Sequence, residues 1–196
     1  MHLIASAGIV ANILFGALAL LGARYIPTRL QATRFACWFY SHATLFMGSG
    51  YLAGFAFLPF GDVHAAIAGL SMEIVWQVVA FIGGVAIYAA TFSDARRTVS
   101  IWLDGKDDLK LILVPYLAMG ITVTAASLLN PGGALSAAWA AAATFGVNYG
   151  LVAAARGIHS APMPERLNIA RSYSWIALGV VSTLVLFVVL GPGVPR

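Results

Sequence analysis

The sequence has few charged residues and only one cysteine. Asp, Glu, Lys and Arg make up 9% of the 196 residues, whereas about 25% is usual in a soluble domain. Because a chain of this size leaves much of its folded surface in water, it cannot hide a composition that is 61% hydrophobic in one aqueous core. The single cysteine, Cys37, excludes an internal disulfide. These shortages exclude a soluble enzyme, a disordered tail and a disulfide-stapled secreted module.

Long apolar runs are what the sequence has instead, and they indicate an integral membrane protein. A helix that crosses a bilayer needs about 17–25 mostly apolar residues. The longest charge-free stretch is divided by the turn signal Asn130-Pro131-Gly132-Gly133. We predict an all-α membrane protein, a six-transmembrane-helix bundle in one integral membrane domain, residues 1–196. Its spans are predicted at about residues 3–23, 35–60, 63–93, 111–129, 134–155 and 172–190.

The basic residues predict the orientation of these spans. The segments after the first, third and fifth spans hold ten of the eleven Lys and Arg residues, and only Arg196 lies on the other side. Because cytoplasmic loops carry the excess of basic residues, both termini are predicted to lie outside. This charge bias indicates contact with an anionic lipid bilayer rather than nucleic-acid binding. We expect the protein in the bacterial cytoplasmic (inner) membrane.

Small residues recur at a spacing of four where helices would touch. Two pairs have the GxxxG pattern, and a third set lies along one face of the first span. Such residues let helix backbones approach closely in lipid. We interpret them as contacts within one chain in preference to a homodimer interface. The residues are Gly8, Asn12 and Gly16, then Gly50 with Gly54, and Gly146 with Gly150.

Ionisable residues at membrane depth are costly, so each is a functional candidate. If one helix runs on from Val63, Glu73 lies about 15 Å deep. If a separate piece ends near Gly69, Glu73 instead lies at the outer interface. Gln77 is four residues further on and shares its helical face.

A second group of polar candidates is predicted near the inner side of the membrane. His42, Asn148 and Tyr116 fall at similar depths in the second, fifth and fourth spans and could form one polar site. A bond from His42 to a neighbouring carbonyl is the simpler alternative. Asp62 and His64 lie two residues apart near the outer end of the second span, where they are compatible with a weak metal site or with a solvated loop.

The first span opens with a motif that resembles a known family. Ala7-Gly8-Ile9-Val10-Ala11-Asn12, continuing into an apolar helix, is similar to the A-G-P-x-x-N helix of M50 metallopeptidases, the site-2-protease-like intramembrane zinc proteases. Ile9 stands where that motif has proline. Leu45–Leu52 followed by Phe60-Gly61-Asp62 also resembles these proteins, so the likeness covers about residues 5–90.

The resemblance implies a zinc site of which this sequence holds one part. In that family an HExxH helix supplies two zinc ligands and the general base, and a later aspartate, here at the position of Asp62, supplies the third ligand. The only glutamates are Glu73 and Glu165, and neither follows a histidine, so HExxH is absent. Two interpretations stay open: a non-catalytic relative, or a reading frame whose start was placed one helix too late.

We therefore expect a multi-pass membrane protein without catalysis that acts by binding or assembly. One alternative is a small transporter or channel that uses Glu73 and His42. Another is an accessory subunit of a larger membrane complex, with pigment or haem at His42. No cofactor is predicted. Zinc would accompany the M50-like site, and haem or pigment would accompany the accessory-subunit alternative. Other membrane subunits are the expected partners.

Overall fold

The computed structural model describes residues 2–103, 109–156, 173–185 and 187–188, and within these ranges the side chains of 2–5, 174 and 175 are left aside. The described residues form helices joined by turns, with no β-strand among them. The helices are α1 (His2–Tyr25), α2 (Gln31–Phe55), α3 (Gly61–Ile67), α4 (Glu73–Trp102), α5 (Lys110–Ser127), α6 (Gly133–Ala141), a π-helix, π1 (Ala142–Val147), α7 (Asn148–Ala155) and α8 (Tyr173–Val185).

Four helical segments are long and apolar enough to cross a membrane, and the last of them consists of α6, π1 and α7 together. The prediction of an all-helical fold is thus confirmed for the described residues. α2 has the length of a span, 25 residues, but it mixes Arg34 and His42 with several serines and threonines. The described part of α8 has 13 residues. The four membrane-length segments are Ser6–Tyr25, Glu73–Trp102, Lys110–Ser127 and Gly133–Ala155.

The third predicted span is divided in the structure. α3 ends at Ile67, and α4 begins at Glu73 after a turn in which Gly69 has φ +79° and Met72 has φ 60°. Left-handed backbone at two nearby residues breaks the helix there. At its other end α4 runs to Trp102, well past the predicted end of the third span at residue 93. A helix can thus extend beyond the apolar run that predicts it. The turn sequence at Asn130 separates α5 from α6 at the place predicted.

Close backbone contacts join α1, α2 and α4. A Cβ atom added to Gly16 of α1 would lie 2.7 Å from Thr44 Oγ1 of α2, and one added to Gly48 of α2 would lie 2.9 Å from Ile13 Cγ1 of α1. On the other side of α2, a Cβ atom on Gly84 of α4 would lie 2.6 Å from a backbone nitrogen of α2. Glycine at these positions allows α2 to pack between its two neighbours.

Candidate functional site

His42 lies in the middle of this packed layer and is completely buried. Its Nδ1 atom is 2.9 Å from the carbonyl oxygen of Trp38, one helical turn earlier in α2, and 3.2 Å from Ser41 Oγ. The Ser41 hydroxyl donates to the same Trp38 carbonyl at 2.7 Å. The bond from His42 to a neighbouring carbonyl, one of the two sequence-based alternatives, is therefore present.

The other ring nitrogen of His42 faces a carboxylate of α4. Nε2 lies 3.2 Å from Asp94 Oδ2, at ion-pair distance, and has no hydrogen-bond partner among the described residues. Asp94 Oδ1 accepts a hydrogen bond from Arg24 Nη2 of α1 at 2.9 Å. The three residues form a charged chain across α1, α4 and α2, in which the exposed fraction of the side chain falls from 59% for Arg24 to 28% for Asp94 and 0% for His42.

Aromatic rings cover the His42 end of this chain. The Trp38 ring centroid lies 4.5 Å from that of His42 and 5.2 Å from that of Trp102, which it meets edge to face. The Arg34 guanidinium lies over the Trp102 ring, 5.6 Å from its centroid. Trp38 is 2% exposed, so these rings keep solvent away from the imidazole.

Tyrosine hydroxyls from two helices bind the π-helix. Tyr116 of α5 donates to the carbonyl oxygen of Phe145 at 2.8 Å, and Tyr88 of α4 donates to that of Val147 at 2.9 Å. A π-helix interrupts the regular α-helical bonding pattern. The two hydroxyls supply donors to carbonyls of this irregular segment, and they join it to α4 and α5.

Asn148 begins α7 directly after π1 and is completely buried. Thr144, one turn earlier, is 1% exposed. Within the described part of the chain, neither the Asn148 amide nor the Thr144 hydroxyl has a hydrogen-bond partner. Of the three predicted inner-side candidates, Tyr116 thus lies beside π1 and Asn148 follows it, whereas the contacts of His42 are with Trp38, Ser41 and Asp94.

Glu73 is the first residue of α4, with its side chain half-buried. This is the arrangement in which a separate short helix precedes it. Gln77 Nε2 donates to Glu73 Oε1 at 3.4 Å, so the two side chains share a face as the spacing indicates. A carboxylate in the first turn of a helix is favoured by the helix dipole. The Glu73 side chain therefore stabilises the start of α4.

Asp62 and His64 both lie in α3, Asp62 exposed and His64 half-buried. Residues two apart on a helix point in different directions. Zinc sites use three or four protein ligands. The described residues contain no group of three or more His, Cys, Asp or Glu side chains that could hold a metal ion.

Some of the predicted small residues contact a neighbouring helix in the described part of the chain, and others do not. Gly50 faces Val147, and Gly150 faces Phe46 and Tyr88, because an added Cβ atom would lie within 2.8 Å of these side chains. Asn12 and Gly16 face α2. For the other three, Gly8, Gly54 and Gly146, no described residue outside their own helix lies within 4 Å of such an atom.

An open groove lies beside Gly146. It has a volume of about 490 Å³ and runs between α2, α4 and the helix that contains π1. Its lining carries no charge, and most of it is small. The lining residues are Gly50, Ala53, Val85, Tyr88, Ala89, Ala142, Gly146 and Val147.

Asp94 is the site residue that sequence reasoning missed. The apolar run of the third predicted span ends at Ser93, so the sequence places Asp94 outside the span, at the start of a charged segment. The signal that could have found it is periodic: Thr91, Ala95, Val99 and Trp102 are buried at spacings of four, four and three, which continues one face of α4 past Asp94.

Comparisons of the chain with protein-family models, with curated proteins and with solved structures gave no match.

Proposed function

We propose that the chain is a six-span protein of the bacterial inner membrane, with both termini outside, that binds a partner within the bilayer and catalyses no reaction. In this proposal it is a relative of the M50 metallopeptidases without their zinc-binding helix. The partner is an apolar transmembrane helix of another membrane subunit, and it lies in the groove beside Gly146.

The observation that carries the proposal is the open side of that groove. Gly146 and Ala142 are exposed, lie four residues apart, and belong to a segment long and apolar enough to cross a membrane. Among the residues that the structure describes, none lies close enough to Gly146 to explain a glycine at this position. In lipid, association depends on close backbone packing, and small residues at a spacing of four allow it. A groove with a small, uncharged lining fits an apolar helix.

The ionisable residues support a role without catalysis. Asp94 contacts both Arg24 and His42 and so joins three helices, and Glu73 accepts a hydrogen bond from Gln77 at the start of α4. These contacts give each of these side chains a structural role. Purified protein with one tightly bound zinc ion per chain would contradict the proposal.

The experiment that tests the groove replaces Gly146 with leucine and compares this variant with Gly22→Leu. Both are exposed helical glycines, and no atom of the described residues beyond their own helix lies within 4 Å of a Cβ atom added to either. Gly146→Leu fills the groove and is expected to remove the partner from the protein isolated in a mild detergent, whereas Gly22→Leu retains it. Retention by both variants, with unchanged stoichiometry, would refute the groove as the binding surface.

A transporter or channel is the second candidate, because a completely buried His42 touches a partly exposed Asp94. Ionisable pairs of this kind occur along ion pathways in membranes. In liposomes, a proton or ion flux that depends on the protein and is abolished by Glu73→Gln or His42→Gln would establish transport. We expect no such flux.

A further inference from the structure

We infer that the protein binds a buried water molecule beside π1, a site that goes beyond the proposed binding role. Two polar side chains, one helical turn apart, carry the inference. Asn148 is 0% exposed, and neither its Nδ2 nor its Oδ1 atom has a hydrogen-bond partner in the described part of the chain. Thr144 is 1% exposed, and its hydroxyl likewise has no partner there.

The irregular backbone of π1 gives a reason why the Thr144 hydroxyl has no carbonyl to bond. A buried hydroxyl in a regular helix commonly donates to the carbonyl one turn earlier. Thr91 donates in this way to the Ile87 carbonyl at 2.8 Å, and Ser49 to the Leu45 carbonyl at 2.6 Å. Thr144 lies within π1, whose backbone bonds follow the i→i+5 pattern in place of i→i+4. This change displaces the carbonyl that would otherwise accept from Thr144.

The chemistry of the two side chains selects water as the ligand. An unpaired amide and hydroxyl are unfavourable in a segment long and apolar enough to cross a membrane, where hydrocarbon offers them no partner. Water donates and accepts hydrogen bonds, so it satisfies the amide hydrogens, the amide oxygen and the hydroxyl together. A cation would bind only the oxygens and leave the Asn148 Nδ2 hydrogens unpaired. Because both side chains are almost completely buried, the ligand is also small.

The face of α5 toward π1 adds further polar groups. Buried waters make about three hydrogen bonds. The Tyr116 hydroxyl donates to the carbonyl of Phe145, a residue of π1, and its oxygen keeps lone pairs that can accept. Gly120 lies one turn further along α5 and also faces Phe145. Thr124 follows after another turn, and its buried hydroxyl has no partner within the described ranges. We therefore place the water on the α5 side of π1.

The water site and the groove beside Gly146 lie on different sides of the same segment. Gly146 and Ala142 are exposed and line the groove, whereas Thr144 and Asn148 are buried. Ordered waters are one of the means by which membrane helices satisfy polar groups freed by an irregular backbone. The bound water therefore stabilises π1, and with it the shape of the groove.

Solid-state NMR of the full chain in lipid bilayers tests the inference. Val147-Asn148 is the only Val-Asn pair in the sequence, so carbon-13 valine with carbon-13, nitrogen-15 asparagine assigns Asn148 without a substitution. We expect magnetisation to pass from water to the Asn148 side-chain amide through a long-lived dipolar contact. Absence of this transfer would overturn the inference. A shift of the Asn148 side-chain signals on addition of sodium or potassium would assign the site to a cation and overturn it as well.

Thr144→Val provides the matched variant, because valine keeps the shape of threonine and removes one partner of the water. The transfer from water to the Asn148 amide should fall several-fold in this variant. Thr91→Val is the control: Thr91 is also buried, at 5% exposed, but its hydroxyl already donates to the Ile87 carbonyl. The control should keep the transfer of the native protein. Equal transfer in the two variants would contradict a water site shared by Thr144 and Asn148.

Discussion

The close contact between α2 and α4 requires glycine at position 84. Replacing Gly84 therefore tests how these two helices pack. A Cβ atom on Gly84 would lie 2.6 Å from Ala53 N, 2.7 Å from Ser49 O and 2.9 Å from Leu52 Cβ. Two of these are main-chain atoms, which cannot rotate away. Gly84→Ala must therefore push the two helices apart. At the neighbouring Gly83, no atom in the described part of the chain beyond the helix itself lies within 4 Å of such an atom, so Gly83→Ala is a control in the same helix.

The expected loss of stability is about 1–3 kcal/mol, the usual cost of forcing an extra methyl group into a packed interior. A separation of about 0.5–1 Å removes a quarter to a half of the dispersion energy of each contact along the interface. The gain of about 1 kcal/mol that alanine brings over glycine within a helix is common to both variants and cancels in their difference. Gly84→Ala should therefore be about 1–3 kcal/mol less stable than Gly83→Ala.

Reversible unfolding from mild detergent into sodium dodecyl sulfate, followed by tryptophan fluorescence, measures this difference. The protein contains five tryptophans, and Trp38 and Trp102 are buried near the α2–α4 contact. If Gly84→Ala unfolds at the same detergent fraction as Gly83→Ala, α2 and α4 do not pack at Gly84 as described, and the reasoning is refuted.

Two further substitutions test individual contacts in the same unfolding assay. Tyr88→Phe removes the donor to the Val147 carbonyl and should lower the free energy of unfolding by about 0.5–1.5 kcal/mol. Tyr40→Phe, at an exposed tyrosine, is the control and should lower it less. Equal stability of the two variants would contradict a role for the Tyr88 hydroxyl in holding π1. Arg24→Gln should cost no more than about 1 kcal/mol, because the arginine side chain is 59% exposed and exposed ion pairs contribute little; a larger loss would show that Arg24 has a greater role in joining the helices.

The all-helical fold could be predicted from the sequence, because apolar runs of membrane length and the turn at Asn130-Pro131-Gly132-Gly133 are local signals. The break before Glu73 depends on left-handed backbone at Gly69 and Met72, so the sequence is compatible with either a continuous or a divided helix there. Met72 is not a residue that signals such a conformation. The π-helix is likewise not predicted by any local pattern in the sequence.

Of the His42–Asp94 pair, only His42 could be predicted from the sequence, for a physical reason. His42 stood out because a histidine in an apolar run is rare, but its partner Asp94 belongs to a charged stretch and looked like any residue of a loop. A pair of this kind depends on how far α4 extends and on which face it turns toward α2. Those are properties of the packed bundle and not of the local sequence.

The measurement that tests the proposed function most directly is the mass of the native particle, taken together with its metal content. Protein extracted in mild detergent is analysed by native mass spectrometry, and zinc is counted in the same sample. The proposed function predicts a discrete complex of this chain with a membrane partner and no stoichiometric zinc. A monomer, or a chain that carries one tightly bound zinc ion, would contradict it.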